Sequence, residues 1–517
     1  MSQIQIKDLT FYYEGSYDLI FEHVSFTLDT DWKLGLIGRN GRGKTTLLNL
    51  LLGKFSYSGT ITKSVEFDYF PFQVEEEKKE HNTIELIEEW YPQYEFWKLC
   101  RELNYLKVEA DVLYRPFSTL SNGEQTKIML AILFLRENHF LLIDEPTNHL
   151  DQEGRELVAD YLRRKKGYIL VSHDRYFLDR CIDHVMAINK QNIDVVQGNF
   201  TSWYENKRKQ EESEVKENER LKKEITRLEE ATRRTKNWSD HVEKTKTGRS
   251  PFEAKVDRGY IGHQAAKMMK RSKGIQDRAN AQIEKKKELM KNIEQMEALK
   301  IYPLSYHKKE LCSIKEGRLY YGETLITEGI NATILQGEVT VLEGKNGCGK
   351  STFLKAFAKL ANGQEDGEDI KVMGEQVNVQ KGLVISYVPQ DTSFLKGSLD
   401  EYMEQWNMDP TIFKMLLRKL DFSREQFEKP MESYSAGQKK KVLLARSLSE
   451  KAHIYIWDEP LNYIDIFSRI QIEELIKKNH LTMILVEHDK TFTEHLGDQI
   501  IRLKRVSNDE KERNKKS

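Results

Sequence analysis

Two glycine-rich loops carry the residues whose types and spacing point most directly to chemistry. Both match the pattern G-x-x-x-x-G-K-[ST], in which backbone N–H groups surround a phosphate, the lysine reaches the β- and γ-phosphates, and the hydroxyl ligates Mg²⁺. The predicted phosphate-binding residues are Gly38, Asn40, Gly41, Gly43, Lys44, Thr45 and Thr46 in the first loop, and Gly344, Asn346, Gly347, Gly349, Lys350, Ser351 and Thr352 in the second.

Two Asp-Glu-Pro sequences supply carboxylates of the kind that phosphate chemistry needs. Asp144 and Asp458 follow apolar runs, and a carboxylate at a strand end can hold Mg²⁺, usually through water. The adjacent Glu145 and Glu459 can polarise an attacking water molecule. Each glutamate lies 24 residues beyond the serine of a Leu-Ser-Asn-Gly-Glu or Tyr-Ser-Ala-Gly-Gln sequence. This repeated spacing favours catalysis over the alternative of helix capping.

Two histidines and two glutamines complete the set of candidate site residues. His173 and His488 follow the glutamates by 28 and 29 residues and can hydrogen-bond a γ-phosphate. Gln73 and Gln390, after Phe-Pro-Phe and Tyr-Val-Pro, can sense Mg²⁺ and the γ-phosphate. A lone histidine after a strand is usually structural, and a lone glutamine is as often a loop residue, so the prediction depends on the repeated order.

The elements that must position these residues form one domain that occurs twice. Corresponding motifs are separated by 306 to 315 residues, with an insert of about a hundred residues between the copies. Short apolar runs predict buried strands at 34–37, 140–143 and 168–171 and again at 339–342, 454–457 and 483–486, with helices after the glycine loops at 46–52 and 352–360. Alternating strands and helices indicate an α/β fold with a mainly parallel sheet. We predict a first copy at 1–204, a linker at 205–300 and a second copy at 301–517.

The linker differs from both copies in its charge and its periodicity. Residues 201–300 contain 26 Lys+Arg and 18 Asp+Glu, and the segment 233–278 alone contains 13 basic and 5 acidic residues, although the net charge of the whole chain is −1. Sparse apolar residues at helical spacing predict two long antiparallel helices joined by a loop near 246–262, the apex loop. A concentrated basic segment suggests a polyanion partner, and a solvated helical face is the equally simple alternative.

The composition excludes several other classes of protein. No run of 15 residues is free of Asp, Glu, Lys and Arg, whereas a membrane-spanning helix needs about 20 apolar residues. The first 30 residues show no signal-peptide pattern. Four cysteines, Cys100, Cys181, Cys312 and Cys348, lie far apart without metal-ligand spacing. We therefore expect neither an integral membrane protein, nor a secreted protein, nor a zinc scaffold.

The ordered set of motifs resembles the ATP-binding-cassette ATPases. The glycine loops correspond to Walker A, the Asp-Glu-Pro sequences to Walker B with its glutamate, and the Ser-Asn-Gly-Glu and Ser-Ala-Gly-Gln sequences to the signature motif. Two cassettes joined by a charged helical linker resemble the ABC-F subfamily, whose members are ribosome-associated ATPases. Asp31-Trp-Lys-Leu-Gly-Leu-Ile-Gly, Met269-Lys-Arg-Ser-Lys273 and Ile454-Tyr-Ile-Trp-Asp-Glu-Pro-Leu-Asn-Tyr463 resemble the Lsa-type antibiotic-resistance proteins of that subfamily.

The resemblance implies that the two cassettes pair head to tail around two ATP sites with Mg²⁺. Site one would use Lys44, Thr45, Gln73, Asp144, Glu145 and His173, closed by Ser435, Gly437 and Gln438 of the second copy. Site two would use Lys350, Ser351, Gln390, Asp458, Glu459 and His488, closed by Ser121, Gly123 and Glu124 of the first copy. The implied Mg²⁺ ligands are Thr45, Gln73, Asp144, Ser351, Gln390 and Asp458. Tyr13 and Tyr321 fall where the family stacks an aromatic ring on adenine.

The resemblance also implies the partners. We expect a cytoplasmic monomer, without a membrane subunit, that binds the tRNA exit site of the bacterial 70S ribosome and acts through the linker on 23S rRNA and the P-site tRNA. It would counter lincosamide, streptogramin A or pleuromutilin drugs by ribosomal protection. The basic RNA-binding candidates are Arg233, Arg234, Lys236, Lys244, Lys246, Arg249, Lys255, Arg258, Lys267, Lys270, Arg271 and Lys273. Val256, Tyr260 and Ile261 would contact bases or pack within the loop.

Departures from the family pattern and alternative functions stay open at this point. Thr147-Asn-His-Leu-Asp151 becomes Leu461-Asn-Tyr-Ile-Asp465 in the second copy, so the two sites need not hydrolyse ATP equally. A housekeeping ABC-F translation factor is the first alternative. Only 77 residues separate the Walker lysine from the signature serine in the first copy, which leaves little room for the arm that such factors insert. A transporter ATPase would not need the linker, and DNA-repair ATPases have much longer coiled coils.

Overall fold

The computed structural model describes residues 3–13, 19–72, 74–148, 150–189, 192–245, 301, 303–345, 347–362, 370–420 and 422–504, and the helical positions Lys267, Lys270, Lys273, Gly274 and Arg278. Contacts divide the chain into two compact units. One comprises Met1–Thr201 and Ala298–Ser517, and the other comprises Ser202–Glu297. The two copies of the repeated domain therefore belong to one unit, while the predicted boundaries at 204 and 300 stay predictions.

The first copy contains a small antiparallel sheet and a larger sheet built around parallel strands. The antiparallel sheet has the order β2-β1-β4, and the larger one has the order β5-β6-β7-β3-β8-β9, in which only β8 and β9 pair antiparallel. The strands are β1 (Gln3–Tyr12), β2 (Leu19–Asp29), β3 (Lys33–Ile37), β4 (Ser58–Thr62), β5 (Glu66–Phe70), β6 (His139–Asp144), β7 (Tyr168–Val171), β8 (His184–Ile188) and β9 (Ile193–Gln197). The helices are α1 (Lys44–Leu51), α2 (Thr83–Trp90), α3 (Phe96–Tyr105), α4 (Asn122–Leu133), α5 (Gln152–Arg163) and α6 (Arg175–Cys181), with 3₁₀ turns at Glu76–Glu80, Ala110–Tyr114 and Phe117–Thr119.

The second copy repeats this arrangement. Its antiparallel sheet has the order β11-β10-β13, with β14 also paired to β10, and its parallel sheet has the order β15-β16-β17-β12-β18. The strands are β10 (Glu310–Tyr321), β11 (Thr324–Leu335), β12 (Val339–Glu343), β13 (Ile370–Met373), β14 (Gln376–Val379), β15 (Ile385–Val388), β16 (Ile454–Asp458), β17 (Met483–Val486) and β18 (Gln499–Arg502). The helices are α8 (Lys350–Asn362), α9 (Leu399–Gln405), α10 (Pro410–Lys419), α11 (Ala436–Ser449), α12 (Ile466–Asn479) and α13 (Lys490–Leu496), with 3₁₀ turns at Arg424–Glu428 and Met431–Ser433.

The predicted α/β fold is confirmed, and all six predicted strands are present. Their side chains are buried on both faces, so they read as continuous apolar runs, as parallel strands covered by helices do. The two helices after the glycine loops begin earlier than expected, at Lys44 and Lys350 instead of Thr46 and Thr352. The difference arises because the helix starts directly at the residue that follows the last glycine of the loop.

The strand order brings the predicted site residues of each copy to one edge of the sheet. In the first copy β3 ends directly before Gly38, β6 ends at Asp144, and β7 ends two residues before His173. These three strands are neighbours, and they are parallel, so their carboxyl ends lie side by side. Their counterparts β12, β16 and β17 are neighbours in the same order. Ligands of open α/β sheets bind at this edge.

The linker unit contains one long described helix, α7 (Phe200–Thr245), of 46 residues. At 1.5 Å per residue it is about 70 Å long. Ion pairs between residues four apart stabilise this helix along its exposed surface, for example Arg208–Glu212 (3.4 Å) and Arg220–Glu224 (3.2 Å). The first predicted linker helix is thus present and is described as far as Thr245. The apex loop itself lies outside the described residues.

The described part of the chain was also searched for a helix that could cross a membrane. Neither α7 nor any other described helix combines the necessary length with an apolar window.

Candidate nucleotide-binding and catalytic sites

The first candidate site is a cavity of about 670 Å³ that both copies of the domain build together. The first copy contributes its glycine loop, its Asp-Glu pair and His173, and the second copy contributes the start of its signature helix α11. The lining residues include Tyr13, Asn40, Gly41, Gly43, Lys44, Thr45, Thr46, Asp144, Glu145 and His173 from one copy and Ser435, Gly437 and Gln438 from the other. These are the groups that the sequence assigns to site one.

The second candidate site is a cavity of about 880 Å³ with the roles of the two copies exchanged. The second copy contributes its glycine loop and catalytic candidates, and the first copy contributes the start of its signature helix α4. The lining residues include Gly347, Gly349, Lys350, Ser351, Thr352, Gln390, Glu459 and His488 from one copy and Ser121, Gly123 and Glu124 from the other. The structure therefore brings together most of the residues of both sets that head-to-tail pairing requires.

The glycine loops hold their lysines in place. Gly43 adopts a φ of 87° directly before α1, a backbone conformation that glycine tolerates best, and a Cβ there would lie 2.6 Å from Cγ2 of Ile20. The Lys44 ammonium donates to the Gly38 carbonyl at 2.7 Å and to the Asn40 side chain at 3.3 Å. The Lys350 ammonium donates in the same way to the loop's first carbonyl, 2.8 Å away. Each lysine thus lies folded over its loop, beside the N–H groups that would face a phosphate.

Burial changes the proton affinity of the first of these lysines. The pKa of Lys44 is lowered because the ammonium is desolvated, while the nearby carboxylates of Asp465, Glu145 and Asp144 act in the opposite direction. A polyphosphate would supply the negative charge that such a buried ammonium needs.

The signature motifs present two capped helix N-termini to the cavities. The Ser121 hydroxyl accepts from the N–H of Glu124, whose carboxylate accepts from the N–H of Ser121, and Ser435 and Gln438 form the same reciprocal pair before α11. These are capping boxes, which fix the first turn of each helix. Anions bind well at helix N-termini, because free N–H groups and the helix dipole point toward them.

Gly437 packs, within the second copy, against the backbone of Tyr463, which in turn contacts the first copy. A Cβ at this position would be 2.6 Å from the carbonyl oxygen of Tyr463, and that oxygen also accepts a hydrogen bond from Asn40 across the pair at 3.2 Å. Tyr463 itself has a φ of 66°. A side chain at position 437 would therefore clash with this carbonyl oxygen. Glycine would also allow a phosphate to approach the backbone closely.

Gly437→Ala should accordingly impair site one. In a Glu459→Gln background, where site one is the intact site, we expect ATP turnover to fall by about 10²-fold, because small displacements of a composite site are costly. Steady-state phosphate release measures this effect. Ala436→Gly, one residue away, removes a methyl group instead of adding one and should leave the rate near that of the parent. Equal rates for Gly437→Ala and the parent would show that a methyl group at position 437 fits beside the Tyr463 carbonyl oxygen without disturbing site one.

The catalytic candidate of site two is held by three side chains. Gln390 donates to Glu459 at 2.8 Å, Asn462 donates to the same carboxylate oxygen at 2.9 Å, and His488 Nε2 lies 3.6 Å from the other oxygen. Burial acts to raise the pKa of Glu459, but His488, Asn462 and Lys350 lower it to about 2. This glutamate is an ionised carboxylate at neutral pH, as a group that orients and polarises water must be.

The equivalent glutamate of site one has a different environment. His173 Nε2 lies 3.4 Å from Glu145 Oε1, which has no hydrogen-bond partner among the described residues. Burial raises the pKa of Glu145 to about 8, and the neighbouring Asp144 acts in the same direction. The pKa of His173 is well below its usual value because of burial and the positive charges of Lys44 and Arg469. The two sites share residue types but differ in electrostatics.

The residues that would hold Mg²⁺ fit a hard cation best in site two, whereas in site one Asp144 Oδ2 accepts a hydrogen bond from the Tyr69 hydroxyl at 3.0 Å. Thr45 lies close enough to Asp144, and Ser351 to Asp458, for the hydroxyl to oppose the rise in the pKa of the carboxyl group that burial causes. Asp458 Oδ1 is buried and has no hydrogen-bond partner within the described part of the chain. A hydroxyl beside an open carboxylate oxygen is the kind of oxygen set that Mg²⁺ takes together with phosphate oxygens and water. When bound, the ion would neutralise phosphate charge.

Not every predicted site residue lies in a cavity. Tyr321, a predicted adenine contact, is 53% exposed at the end of β10 and does not line site two, where Ile326 takes part instead. Tyr13 does line site one, and its hydroxyl lies 2.7 Å from that of Thr46. Gly38, Gly344 and Asp458 are next to the cavities without lining them. Gln73 and Asn346 lie outside the described residues, so their roles stay predictions.

The predicted RNA-binding residues divide into described and undescribed ones. Arg233, Arg234, Lys267, Lys270 and Lys273 have exposed side chains. The other candidates fall where the structure describes no side chain: Lys236, Lys244, Lys246, Arg249, Lys255, Val256, Arg258, Tyr260, Ile261 and Arg271.

The segment after each Asp-Glu-Pro sequence contributes more than the sequence analysis assigned to it. Asn148 lines both cavities, Asp151 and Asn462 line site two, and Tyr463 lines site one. A signal for these residues existed, because the Asn and Asp of this segment recur at the same positions in both copies. What the sequence does not reveal is that this segment reaches the partner copy's site.

The departures in this segment of the second copy compensate each other. In the first copy the hydroxyls of Thr147 and Ser172 lie 3.4 Å apart in a buried position. In the second copy Leu461 and Glu487 take these places, and the Glu487 carboxylate accepts from the Leu461 N–H at 2.7 Å. The positive charge of Arg469 opposes the rise in the pKa of Glu487 that burial causes. The altered residues therefore still join the segments that follow the neighbouring strands β16 and β17.

The paired cavities, each with a Walker-type loop and a capped signature helix from the opposite copy, define a tandem P-loop ATPase of the ATP-binding-cassette class. The family model described as ABC transporter matches residues 21–148 and 327–462. The chain belongs to this family and, within it, to the ABC-F group, as its repeated motifs predicted.

Two relatives and one solved structure show what this chain is similar to. "Ribosome protection protein VmlR" of Bacillus subtilis (strain 168) is 28% identical over 93% of this chain and 83% of its own length. "Erythromycin resistance ATP-binding protein MsrA" of Staphylococcus epidermidis is 26% identical over 90% of this chain and 91% of its own. The crystal structure of archaeal aABCE1 with the stalk protein aP1 covers 98% of this chain and 91% of its own, with a TM-score of 0.59 at 20% identity, which shows the shared fold.

Proposed function

We propose that this protein hydrolyses ATP to ADP and phosphate at two composite sites and uses the ATP-bound form to bind the bacterial ribosome and protect it from antibiotics. The observation that carries the ATPase is the pair of cavities in which each glycine loop faces the signature helix of the opposite copy. ATP bound there would join the two copies, and its hydrolysis would release them.

Each residue of site two has a role in this proposal that its contacts support. Lys350 and the loop N–H groups bind the phosphates, and Ser351 with Asp458 holds Mg²⁺. Glu459, oriented by Gln390 and Asn462, accepts a hydrogen bond from the attacking water. His488 can donate to the γ-phosphate, and the helix N-terminus at Ser121 favours the same charge from the other side. Site one repeats these roles with Lys44, Thr45, Asp144, Glu145 and His173. Because burial raises the pKa of Glu145, its role requires the positive charge of bound Mg²⁺ to favour the ionised carboxylate.

The ribosome as partner is supported by the name of VmlR and by the charge of the linker, and antibiotic resistance is supported by the name of MsrA. The exposed Arg233, Arg234, Lys267, Lys270 and Lys273 belong to the basic segment 233–278. Lysine and arginine gain affinity for RNA by releasing the counterions of its phosphates. We propose that the ATP-bound protein acts in the cytoplasm and occupies the tRNA exit site of the ribosome. Its linker would act on 23S rRNA and the P-site tRNA around the drug-binding pocket of the ribosome.

The drug classes belong to the proposal as well. We expect protection against lincosamides, streptogramin A and pleuromutilins. Expression in a drug-sensitive bacterium, with inhibitory concentrations for a lincosamide, a pleuromutilin, a macrolide and a phenicol, tests this directly. Unchanged inhibitory concentrations for all four would favour the alternative of a housekeeping translation factor.

If the linker binds RNA phosphates, ribosome affinity should decrease steeply with salt, by a log–log slope of about −0.7 to −0.9 per contact. Replacing Lys267, Lys270, Arg271 and Lys273 with Gln should make this slope shallower. The measurement is ribosome co-sedimentation of the ATP-bound protein across a salt series.

A matched control for this variant exists in the same linker. Lys216, Lys222, Lys223 and Arg227 of α7 have exposed side chains outside the basic segment, and their replacement with Gln removes the same charge. We expect this control to retain the slope of the wild type. Equal slopes for both variants would mean that the cluster at 267–273 is only a solvated helix face.

A further inference from the structure

The signature helix of the second copy, α11, carries two adjacent buried lysines. Lys440 and Lys441 are each only 3% exposed. The ammonium of Lys440 donates to the carbonyl of Pro389 at 3.1 Å, and that of Lys441 lies 3.3 Å from the Asp465 carboxylate. Burying an ammonium is costly unless specific partners compensate. Two adjacent buried ammonium groups therefore indicate that each has a specific structural or functional role.

The first lysine connects the helix to site two. Pro389 directly precedes Gln390, the residue that donates to the catalytic candidate Glu459 at 2.8 Å. Gln390 and Glu459 both line the site-two cavity. Burial lowers the pKa of Lys440, and the nearby carboxylates of Glu487, Asp458 and Glu459 oppose this effect. Lys440 thus fixes the backbone beside a residue that would sense the γ-phosphate in site two.

The second lysine and the start of the same helix belong to site one. Lys441, Ser435 and Gly437 all line the site-one cavity. Asp465, the partner of Lys441, is close enough for its charge to act on both Lys44 and His173. Through Lys440, α11 therefore contacts the loop that carries Gln390, the glutamine loop of site two. Through its N-terminus, less than two turns away, the same helix closes site one.

The first copy has no lysine at the position equivalent to Lys440. Counting from the signature serines, the positions of Lys440 and Lys441 correspond to Thr126 and Lys127. Thr126 is also buried, at 5% exposure, but its short neutral side chain supplies neither the reach nor the charge of a lysine. Lys127 lines site two, as Lys441 lines site one. Lys440 therefore has no counterpart, although the helix that carries it does.

We propose that Lys440 is a positioning residue that couples the two ATP sites by tying the glutamine loop of site two to the signature helix of site one. Nucleotide in site two moves Gln390, the Pro389 carbonyl moves with it, and Lys440 transmits the displacement to Ser435 and Gly437. The inference rests on the proposed binding of ATP at both sites. Because this is an equilibrium coupling, nucleotide in site one changes the affinity of site two by the same factor as the reverse. Such couplings typically change affinity by about 5- to 150-fold.

The test compares the affinity of site one with site two intact and disabled. The full-length Glu145→Gln, Glu459→Gln protein is titrated with a fluorescent ATP analogue and Mg²⁺, with and without Lys350→Ala, which removes the phosphate-binding lysine of site two. The ratio of the two affinities for site one measures the coupling. With Lys440 present, we expect a ratio of at least about 5. With Lys440→Thr, the residue found in the first copy, we expect a ratio near one.

Control variants separate coupling from a merely structural role. Lys440→Arg retains a cationic donor and should preserve the ratio, and Lys439→Thr changes a neighbouring lysine of the same helix and should also preserve it. A structural defect would weaken binding in both backgrounds and leave the ratio unchanged. Lys440→Met serves as a second test if the threonine variant does not fold.

The outcomes distinguish this inference from the proposed function. A ratio that is the same for wild type and folded Lys440→Thr, or a wild-type ratio of one, overturns the coupling while ATP binding stands. Failure of the wild-type protein to bind the analogue at all overturns the proposed ATP sites themselves.

Discussion

The double variant Glu145→Gln, Glu459→Gln should hydrolyse ATP about 10²- to 10⁴-fold more slowly than the wild type, because removing a general base costs this much in rate. An amide has the shape of the carboxylate but cannot accept a proton from water. ATP binding should persist, because the glycine loops, Lys44 and Lys350 are unchanged. Steady-state phosphate release and equilibrium binding of labelled ATP measure the two effects separately.

The same variant should accumulate on ribosomes. If ATP joins the two copies and hydrolysis separates them, a protein that cannot complete hydrolysis stays in the binding-competent form. Co-sedimentation with 70S particles in ATP provides the measurement. Glu77→Gln with Glu494→Gln is a matched control, because it replaces two exposed glutamates away from both cavities. Release of the double variant as readily as the wild type would show that Glu145 and Glu459 have been misassigned.

Replacing residues 255–260 with a short Gly-Ser turn should abolish or change drug protection while ATP turnover is retained. Every residue that lines the two candidate ATP sites lies outside Ser202–Glu297, so shortening the apex loop leaves both cavities assembled. Drug protection, in contrast, should depend on the chemical identity of the loop that contacts the drug pocket. Inhibitory concentrations for the four drug classes, beside the ATPase rate, measure the separation.

Single substitutions refine this second prediction. Val256→Ala and Tyr260→Ala should shift the pattern of drug protection more than they shift ATPase activity, because they alter the loop without shortening it. The ATPase rate of the wild type is the internal control for both. A loop-shortened protein that protects cells against every drug as well as the wild type does would contradict the proposed role of the apex loop.

The sequence by itself determined the fold and most of the candidate sites. The six predicted strands are buried on both faces, so an uninterrupted apolar run was enough to locate each of them. The glycine loops, the Asp-Glu pairs and the signature serines have chemistry that depends on local backbone conformation and short spacing. The resemblance of this repeated order to the ATP-binding-cassette ATPases then implied the head-to-tail sets, most of whose residues line the two cavities.

Only the tertiary structure decided which residues act across the two copies and how the two sites differ. Tyr321 and Tyr13 occupy equivalent sequence positions, yet Tyr13 lines site one whereas Tyr321 does not line site two. Glu145 and Glu459 occupy the same position in the two Asp-Glu-Pro sequences, but their pKa values lie on opposite sides of the ordinary range for glutamate. Burial and neighbouring charge set these properties, and both come from residues that are distant in the chain. Sequence spacing reports local geometry, whereas electrostatics and cross-copy contacts exist only after the two copies have packed together.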